Sequence, residues 1–291
     1  MIAVLLSLGA AAAFALSAMF VAATGGRMAV FQLARWQMGI AVAVLAAASA
    51  LTGGWAGITG RQFGLLAGSS AVGIMLASST YLAAIQAAGP RISAVLFSLA
   101  SPFAVGLGWV FLGERLSAGQ LGGIGLILAG IVLAILAERG QAAGPLPGRL
   151  GLGVALGVIT SLGQATGSLL ARPAMASGAE PFTAMAIRAG LGFLFFLALM
   201  VLPWARSPRP ALRRDLGLVA ASALTGMVVG MVLLMAALSL GDVGIVSTLS
   251  STTPILILPM LWATSRKVPP PLAWAGAVLA VAGTALISLA G

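Results

Sequence analysis

Charged residues are scarce in this chain of 291 amino acids, where they make up only 7% of the sequence. Soluble proteins carry about 25% charged residues, because their surfaces must interact with water. Hydrophobic residues reach 60% here. The shortage of charge therefore excludes an ordinary soluble domain and predicts that most of the surface faces lipid.

Cysteine and histidine are absent altogether. No disulfide framework and no thiolate chemistry can be built, and the most common general base and metal ligand is missing. The zinc-binding motif His-Glu-x-x-His is excluded, and no apolar stretch carries a carboxylate pair for acid–base chemistry. We therefore expect no enzyme activity, no cofactor and no metal.

The net charge is +10, a balance that in a soluble protein would suggest nucleic-acid binding. Here the basic residues stand singly or in short clusters between apolar stretches, where they can anchor loops at phospholipid headgroups. We therefore expect the lipid bilayer, and no nucleic acid, as a partner. The first charged residue is Arg27, so the opening segment lacks the basic start of a cleavable signal peptide and is expected to be a retained helix.

Ten stretches of at least 17 residues contain no charged residue. A helix needs about 20 apolar residues to cross the hydrocarbon core, so the sequence predicts an all-α membrane protein with ten transmembrane helices. The second helix is expected to begin before Arg35, and the seventh near Pro181. The stretches are 2–26, 36–60, 62–90, 92–113, 116–137, 150–171, 189–205, 216–241, 243–265 and 268–291.

A polar connection rich in proline and glycine, Glu138–Arg149, divides the chain near its centre. It predicts a first five-helix repeat at 1–139, a linker at 140–149 and a second five-helix repeat at 150–291. Sliding the chain against itself supports two related halves. At offsets of 152 and 153 residues, the matching pairs are Ser98/Ser250, Pro102/Pro254, Arg35/Arg188, Gly123/Gly276 and Gly130/Gly283.

An odd number of helices in each half forces the second copy to insert upside down. Inverted repeats are a transporter architecture, in which a substrate site near the membrane midplane opens alternately to each side. We therefore predict a secondary transporter or facilitator that works by alternating access. A channel or a non-transporting membrane subunit is the alternative, although a channel would need a ring of charges or carbonyls.

The stretch Gly113-Glu114-Arg115-Leu116-Ser117 resembles the signature of the drug/metabolite transporter superfamily, and most closely its ten-helix EamA branch, which includes YddG-like amino-acid exporters. The resemblance implies small solutes such as amino acids, nucleosides, sugars or drugs, often moved outward across the bacterial cytoplasmic membrane. The second half departs from the signature, with Ser265-Arg266-Lys267 at the expected glycine–glutamate pair. A purely structural interpretation is that Gly113 and Glu114 end helix four, with helix five starting behind Ser117.

Polar side chains inside apolar helices are the candidates for binding a small-molecule substrate, because they must face the protein interior or a wet cavity. Hydrogen bonding between or within helices is the alternative role of any single hydroxyl. The predicted substrate-binding residues are Ser78, Tyr81, Gln86, Ser98, Ser101, Gln164, Ser168, Ser250 and Thr252.

Two prolines and two arginines also stand inside the predicted spans. Pro102 and Pro254 are predicted to kink their helices and to act as hinges or as a polar floor, unless neighbouring helices relieve the kinks. Arg35 and Arg188 are either functional or, as we expect, close enough to a helix end to reach the headgroups. The glycines of helices five and ten predict close helix packing or a homodimer seam.

All five acidic residues fall in loops or at span edges, where they are Glu114, Glu138, Glu180, Asp215 and Asp242. Proton-coupled carriers usually keep a carboxylate deep in the bundle, so we expect a facilitator, or coupling through the protonation of the substrate itself. A neutral or zwitterionic cargo is favoured, since a net charge would be costly to desolvate. The distribution of basic residues favours termini outside the cell, whereas the family resemblance implies termini inside.

Overall fold

A computed structural model describes residues 1–24, 27–88, 96–97, 99–137, 150–202, 213–265 and 270–290. Within these ranges the regular structure is helical and no strand occurs. The predicted linker at 140–149 lies outside the described residues.

Ten helical spans follow one another along the chain, and we label them α1 to α10. Six are single helices: α1 (Ile2–Ala23), α2 (Val30–Thr52), α5 (Ala118–Ala137), α6 (Leu150–Ala176), α7 (Pro181–Ala198) and α10 (Pro271–Ala290). The other four are composite. Span α3 joins Gly60–Ser70, a π-helical segment Ala71–Leu76 and Ala77–Ala88, and α8 joins Arg213–Ser222, a π-helical segment Ala223–Gly230 and Met231–Leu240. Span α4 joins Ala100–Leu107 and the π-helical Gly108–Leu112, and α9 consists of α9a (Val243–Ser250) and α9b (Thr253–Ser265).

The prediction of an all-α membrane protein with ten spans is confirmed. Six of the spans, α1, α2, α3, α6, α7 and α8, are long and apolar enough to cross a membrane, and the four shorter apolar helices are α4, α5, α9 and α10. As predicted, α2 begins before Arg35 and α7 begins at Pro181.

Local sequence signals fix several helix ends. The Glu180 carboxylate accepts hydrogen bonds from the backbone N–H groups of Phe182 (2.9 Å) and Thr183 (2.7 Å), with Pro181 at the first helical position of α7. Thr59 and Gln62 form a reciprocal capping box at the start of α3. These caps satisfy backbone donors that the first turn leaves without partners.

Three pairs of equivalent helices pack against each other in antiparallel fashion. Along α5 and α10, Gly123 faces Gly283 and Gly130 faces Gly276, so the numbering rises on one helix as it falls on the other. The pairs α2–α7 and α4–α9 show the same reversal of numbering. In α2–α7, Gly39 faces Phe193, and the Ser49 hydroxyl hydrogen-bonds the Thr183 hydroxyl. In α4–α9, Ser101 lies against Ser251, and Val105 lies against Gly244. Equivalent helices can run in opposite directions only if the two halves are inverted copies.

Further contacts between the halves follow the same pseudo-two-fold relation. Span α3 packs along α6, and its counterpart α8 packs along α1; likewise α4 packs on α6 and α9 packs on α1. These interfaces are repeated with the roles of the halves exchanged, as in a symmetric dimer. The bundle is a two-repeat structure with its pseudo-axis passing between the halves.

The glycines of α5 and α10 bring the two backbones into direct contact. A Cβ atom built on Gly123 would lie 2.7 Å from the carbonyl oxygen of Gly283, and one built on Gly283 would lie 2.5 Å from the carbonyl oxygen of Gly123. Side chains cannot be accommodated at that separation. Of the two predictions made for these glycines, close packing inside the chain is the one confirmed, because this face is already occupied by its own partner helix.

The glycine–glutamate motif ends one helix and caps another. Gly113 adopts the left-handed conformation (φ 67°) at the end of α4, as the structural interpretation predicted. The Glu114 carboxylate crosses to the other half, where it accepts a hydrogen bond of 2.9 Å from the backbone N–H of Val243 at the start of α9a. Ser117 and Gln120 bond each other's backbone N–H groups at the start of α5.

Candidate functional site

A cavity of about 370 Å³ lies between the two halves, at the middle of the spans. Residues of both repeats form its wall. The lining residues are Phe14, Tyr81, Phe97, Ala100, Ile131, Gln164, Ala165, Ser168, Met227, Met231, Leu234, Ser247, Ser250, Ser251 and Thr253.

Most polar groups of this cavity come from α6 and from the break in α9. Gln164 and Ser168 are one turn apart on α6 and so share a helix face. On α9, the helix stops at Ser250 and restarts at Thr253. An interrupted helix leaves backbone groups beside a cavity, where a solute can use them.

Serine and threonine hydroxyls stabilise the break in α9. The Ser251 hydroxyl donates to the carbonyl of Ser247 (2.7 Å), and the Thr253 hydroxyl donates to the carbonyl of Ser250 (3.1 Å). Ser101 of α4 donates to the Ser251 hydroxyl (3.1 Å). This segment therefore satisfies part of its hydrogen-bonding capacity internally and presents the rest to the cavity.

The first repeat contributes an aromatic wall. The rings of Tyr81 and Phe97 lie 5.5 Å apart at a tilt of 56°, and Phe14 of α1 also faces the cavity. Met227 and Met231 of α8 add flexible apolar surface at and just after its π-helical segment. The cavity is therefore amphiphilic, with a hydroxyl- and amide-rich side and an aromatic side.

Four polar side chains of the wall are left for a ligand. Within the part of the chain that the structure describes, the side chains of Tyr81, Gln164, Ser168 and Ser247 make no hydrogen bond. A polar group removed from bulk water costs free energy until it finds a partner. A solute with matching donors and acceptors can supply those partners.

Of the nine predicted substrate-binding residues, four line the cavity: Tyr81, Gln164, Ser168 and Ser250. Ser101 is buried just behind it, bonded to Ser251. The structure places the other four elsewhere or does not describe them. Ser78 is half-buried and outside the lining, Thr252 is buried with its hydroxyl on the carbonyl of Leu249 (2.8 Å), and Ser98 and the side chain of Gln86 lie outside the described residues.

Several lining residues were not predicted. Ser247, Ser251 and Thr253 belong to the most polar run of the apolar spans. The polarity of the whole segment around Ser250 therefore indicated that it lines the cavity. Phe14 and Met231 carried no signal, because an apolar side chain in a membrane helix is equally expected to face lipid.

The predicted kinks at Pro102 and Pro254 are not found, because both prolines lie in the first turn of a helical segment. Pro102 is the third residue of α4, and Pro254 is the second residue of α9b, directly behind the break. Proline in a first turn removes no intrahelical hydrogen bond and helps the helix to restart. A role of both positions as hinges stays a prediction.

The lining residues carry no charge. Glu114 caps α9a and Glu180 caps α7. The Asp215 carboxylate accepts a hydrogen bond of 2.6 Å from Arg27, which ties the α1–α2 connection to the start of α8. Burial raises the pKa of the Glu114 carboxyl above its ordinary value.

Arg188 does not reach the headgroups, so the expectation of snorkelling is wrong for this residue. Its side chain is only 1% exposed, within the bundle near the middle of α7. The equivalent Arg35 of α2 is half-buried. The difference arises because α7 packs against α3 and α8 around Arg188.

Two inverted five-helix repeats with a polar and aromatic cavity between them are an architecture typical of membrane transporters. Comparison with known sequences gives the family: the model of the EamA-like transporter family matches residues 1–136 and 151–289. The chain belongs to this family, whose members transport small molecules and are not enzymes. It is a multi-pass membrane protein.

A solved structure, described only as a crystal structure of a protein, superposes with a TM-score of 0.83 at 18% sequence identity, over 99% of this chain and 96% of the other. It supports the fold alone. Among curated proteins, no match is found.

Proposed function

We propose that this protein is a facilitator that carries small zwitterionic solutes, amino acids with apolar side chains in particular, by alternating access across a bacterial cytoplasmic membrane. Export is the proposed direction. The observation that carries the proposal is the amphiphilic cavity between the inverted halves. Hydroxyl and amide groups on one side suit a polar headgroup, and the rings of Phe14, Tyr81 and Phe97 suit an apolar side chain.

The volume of the cavity limits the cargo. About 370 Å³ lies near the lower end of the range for small-molecule sites, and a single amino acid fits within it. The proposal of a facilitator is supported by the uncharged lining, since a proton-coupled carrier needs a titratable group that substrate and proton share.

The test is solute counterflow in proteoliposomes that contain the purified protein. Vesicles are loaded with one unlabelled solute from a panel of amino acids, nucleosides and sugars, and uptake of the same labelled solute is followed. We expect saturable uptake that is accelerated by internal leucine or phenylalanine and does not require a pH gradient. Flux that is linear in concentration without acceleration would indicate a channel, and accumulation driven by a pH gradient alone would contradict the facilitator.

Tyr81→Ala and Gln164→Ala are the informative variants, because both side chains line the cavity. Ser239→Ala is a matched control, since its hydroxyl bonds the carbonyl of Ala236 within its own helix, outside the cavity lining. The proposal requires that the first two variants alter the KM of counterflow while the control behaves as the wild type.

A further inference from the structure

The guanidinium of Arg188 is a buried cation, and among the described residues its hydrogen-bonding neighbours are sulfur atoms. Its Nη1 donates weakly to the thioethers of Met235 (3.3 Å) and Met185 (3.7 Å). Its Nε is fully buried and, among the described residues, has no hydrogen-bond partner. Thioethers are weak acceptors, so the charge is poorly compensated.

No carboxylate that the structure describes forms an ion pair with Arg188. Glu114 bonds the start of α9a, Glu180 bonds the start of its own helix α7, and Asp215 pairs with Arg27. An uncompensated buried charge is strongly destabilising, whereas an apolar side chain of similar volume at such a position is often neutral or stabilising. Arg188 therefore lowers the stability of the empty protein. An anion from outside the chain would supply the missing negative charge and stabilise the fold.

The residues around Arg188 are neighbours, along the chain, of residues that line the cavity. A Cβ built on Gly73, in the π-helical part of α3, would lie 3.5 Å from Nη2 of Arg188 and 3.0 Å from Cα of Gly167. Gly167 precedes Ser168, and Met235 follows Leu234, and both Ser168 and Leu234 line the cavity. π-Helical segments are frequent at functional sites, and the glycines at this contact leave the guanidinium close to the α6–α8 side.

We propose that Arg188 makes the cavity select solutes that carry one carboxylate. This inference rests on the proposed function and deepens it, because it assigns the anionic group of the cargo to the α6–α8 side. A single cation in a medium of low polarity acts over several ångströms without direct contact. The apolar part of the solute then lies against Phe14, Tyr81 and Phe97.

The experiment compares amino acids with their carboxamides in the same reconstituted counterflow assay. L-Phenylalaninamide has a neutral carboxamide in place of the carboxylate of L-phenylalanine and therefore carries a net positive charge, and L-leucinamide differs from L-leucine in the same way. The variants are Arg188→Met, which removes the charge in a methionine-rich environment, Arg188→Lys, which keeps it, and Arg35→Met, the same change at the equivalent position of the first repeat.

We expect the wild type to prefer the amino acids over their amides. Arg188→Met should raise the KM for the amino acids about tenfold or more. The KM for the amides, which carry a net positive charge, should stay the same or fall, and the melting temperature should equal or exceed that of the wild type. Arg188→Lys should retain part of the preference, and Arg35→Met should retain all of it.

The possible failures differ from one another. A wild type that carries acid and amide equally well, or an Arg188→Met variant that keeps the wild-type preference, overturns the role of Arg188 and leaves the carrier intact. An equal loss for both members of a pair shows a structural role and also overturns it. A wild type that carries no member of any pair removes this inference together with the proposed function.

Discussion

Two polar residues of the cavity, Tyr81 and Gln164, have apolar counterparts in the other repeat. At the offset of 152 residues, Tyr81 of the first repeat corresponds to Leu233 of the second, and at the offset of 153, Gln164 of the second corresponds to Ala11 of the first. Several helix contacts, by contrast, recur when the halves are exchanged, such as α3 on α6 and α8 on α1. The two repeats are therefore similar where their helices pack against each other, and different where a solute would bind.

This division has a physical reason. Alternating access needs two halves that can exchange roles, and this requires equivalent packing surfaces such as the α5–α10 contact. A small solute has no such symmetry. An asymmetric lining, with polar groups from α6 and α9 and aromatic rings from the first repeat, lets the cavity distinguish the headgroup of a solute from its side chain.

The close packing of α5 against α10 can be tested by replacing the glycines at their contact. Gly130→Val and Gly283→Val, at equivalent positions, should each cost about 1–3 kcal/mol or more, because both Cβ atoms would meet backbone on the facing helix. Gly125→Val is the control, since a Cβ there meets nothing within 4 Å. Melting temperatures in detergent provide the measurement, and unequal losses at the two equivalent positions would argue against the symmetry of the contact.

The polar side of the cavity can be tested at Gln164. We expect Gln164→Ala to weaken solute binding by up to about tenfold, the range of a lost hydrogen bond. Ala11→Gln, at the equivalent position of the first repeat, should not rescue it, because the cavity is not symmetric. Titration of solute-induced thermal stabilisation measures both variants, and rescue by Ala11→Gln would show that the two repeats are interchangeable at the site.

The aromatic side of the cavity can be tested at Tyr81. Tyr81→Leu makes the first repeat resemble the second at this position, and we expect a several-fold loss of affinity for solutes with aromatic side chains through lost ring contacts. Tyr81→Phe is the control for the hydroxyl. Competition for labelled leucine counterflow measures both variants, and equal behaviour of Tyr81→Leu and wild type would exclude an aromatic contact.

The smallest expected effect concerns Glu114, which has no glutamate counterpart in the second repeat. Burial raises the pKa of this carboxyl in the folded protein, so the folded state holds the proton more tightly than the unfolded state. Its contribution to stability is then present at low pH and is lost as the pH rises from the ordinary glutamate range through the raised value.

Glu114→Gln should therefore flatten the dependence of the melting temperature on pH in this window. The measurement is a series of melting curves from pH 4 upward, for both proteins in the same detergent. An unchanged slope in the variant would show that Glu114 does not titrate differently on folding.

Much of the architecture could be predicted from residue types alone. Charge cannot be placed in hydrocarbon without a large cost, so the charge-free stretches marked the spans, and the rare proline and arginine pairs revealed the repeat. Tyr81, Gln164, Ser168 and Ser250 were predictable for the same reason, since a polar side chain in a membrane helix must face the interior.

Tertiary structure decided the rest. Arg188 and Arg35 occupy equivalent positions, yet one is buried and the other is half-buried, because burial depends on which helices pack around a side chain and not on its depth along one helix. Phe14 and Met231 became lining residues in the same way. The sequence by itself determined ten apolar spans in two inverted copies, because the bilayer imposes length and polarity on each span separately; only the packing of the spans determined which side chains meet at the centre.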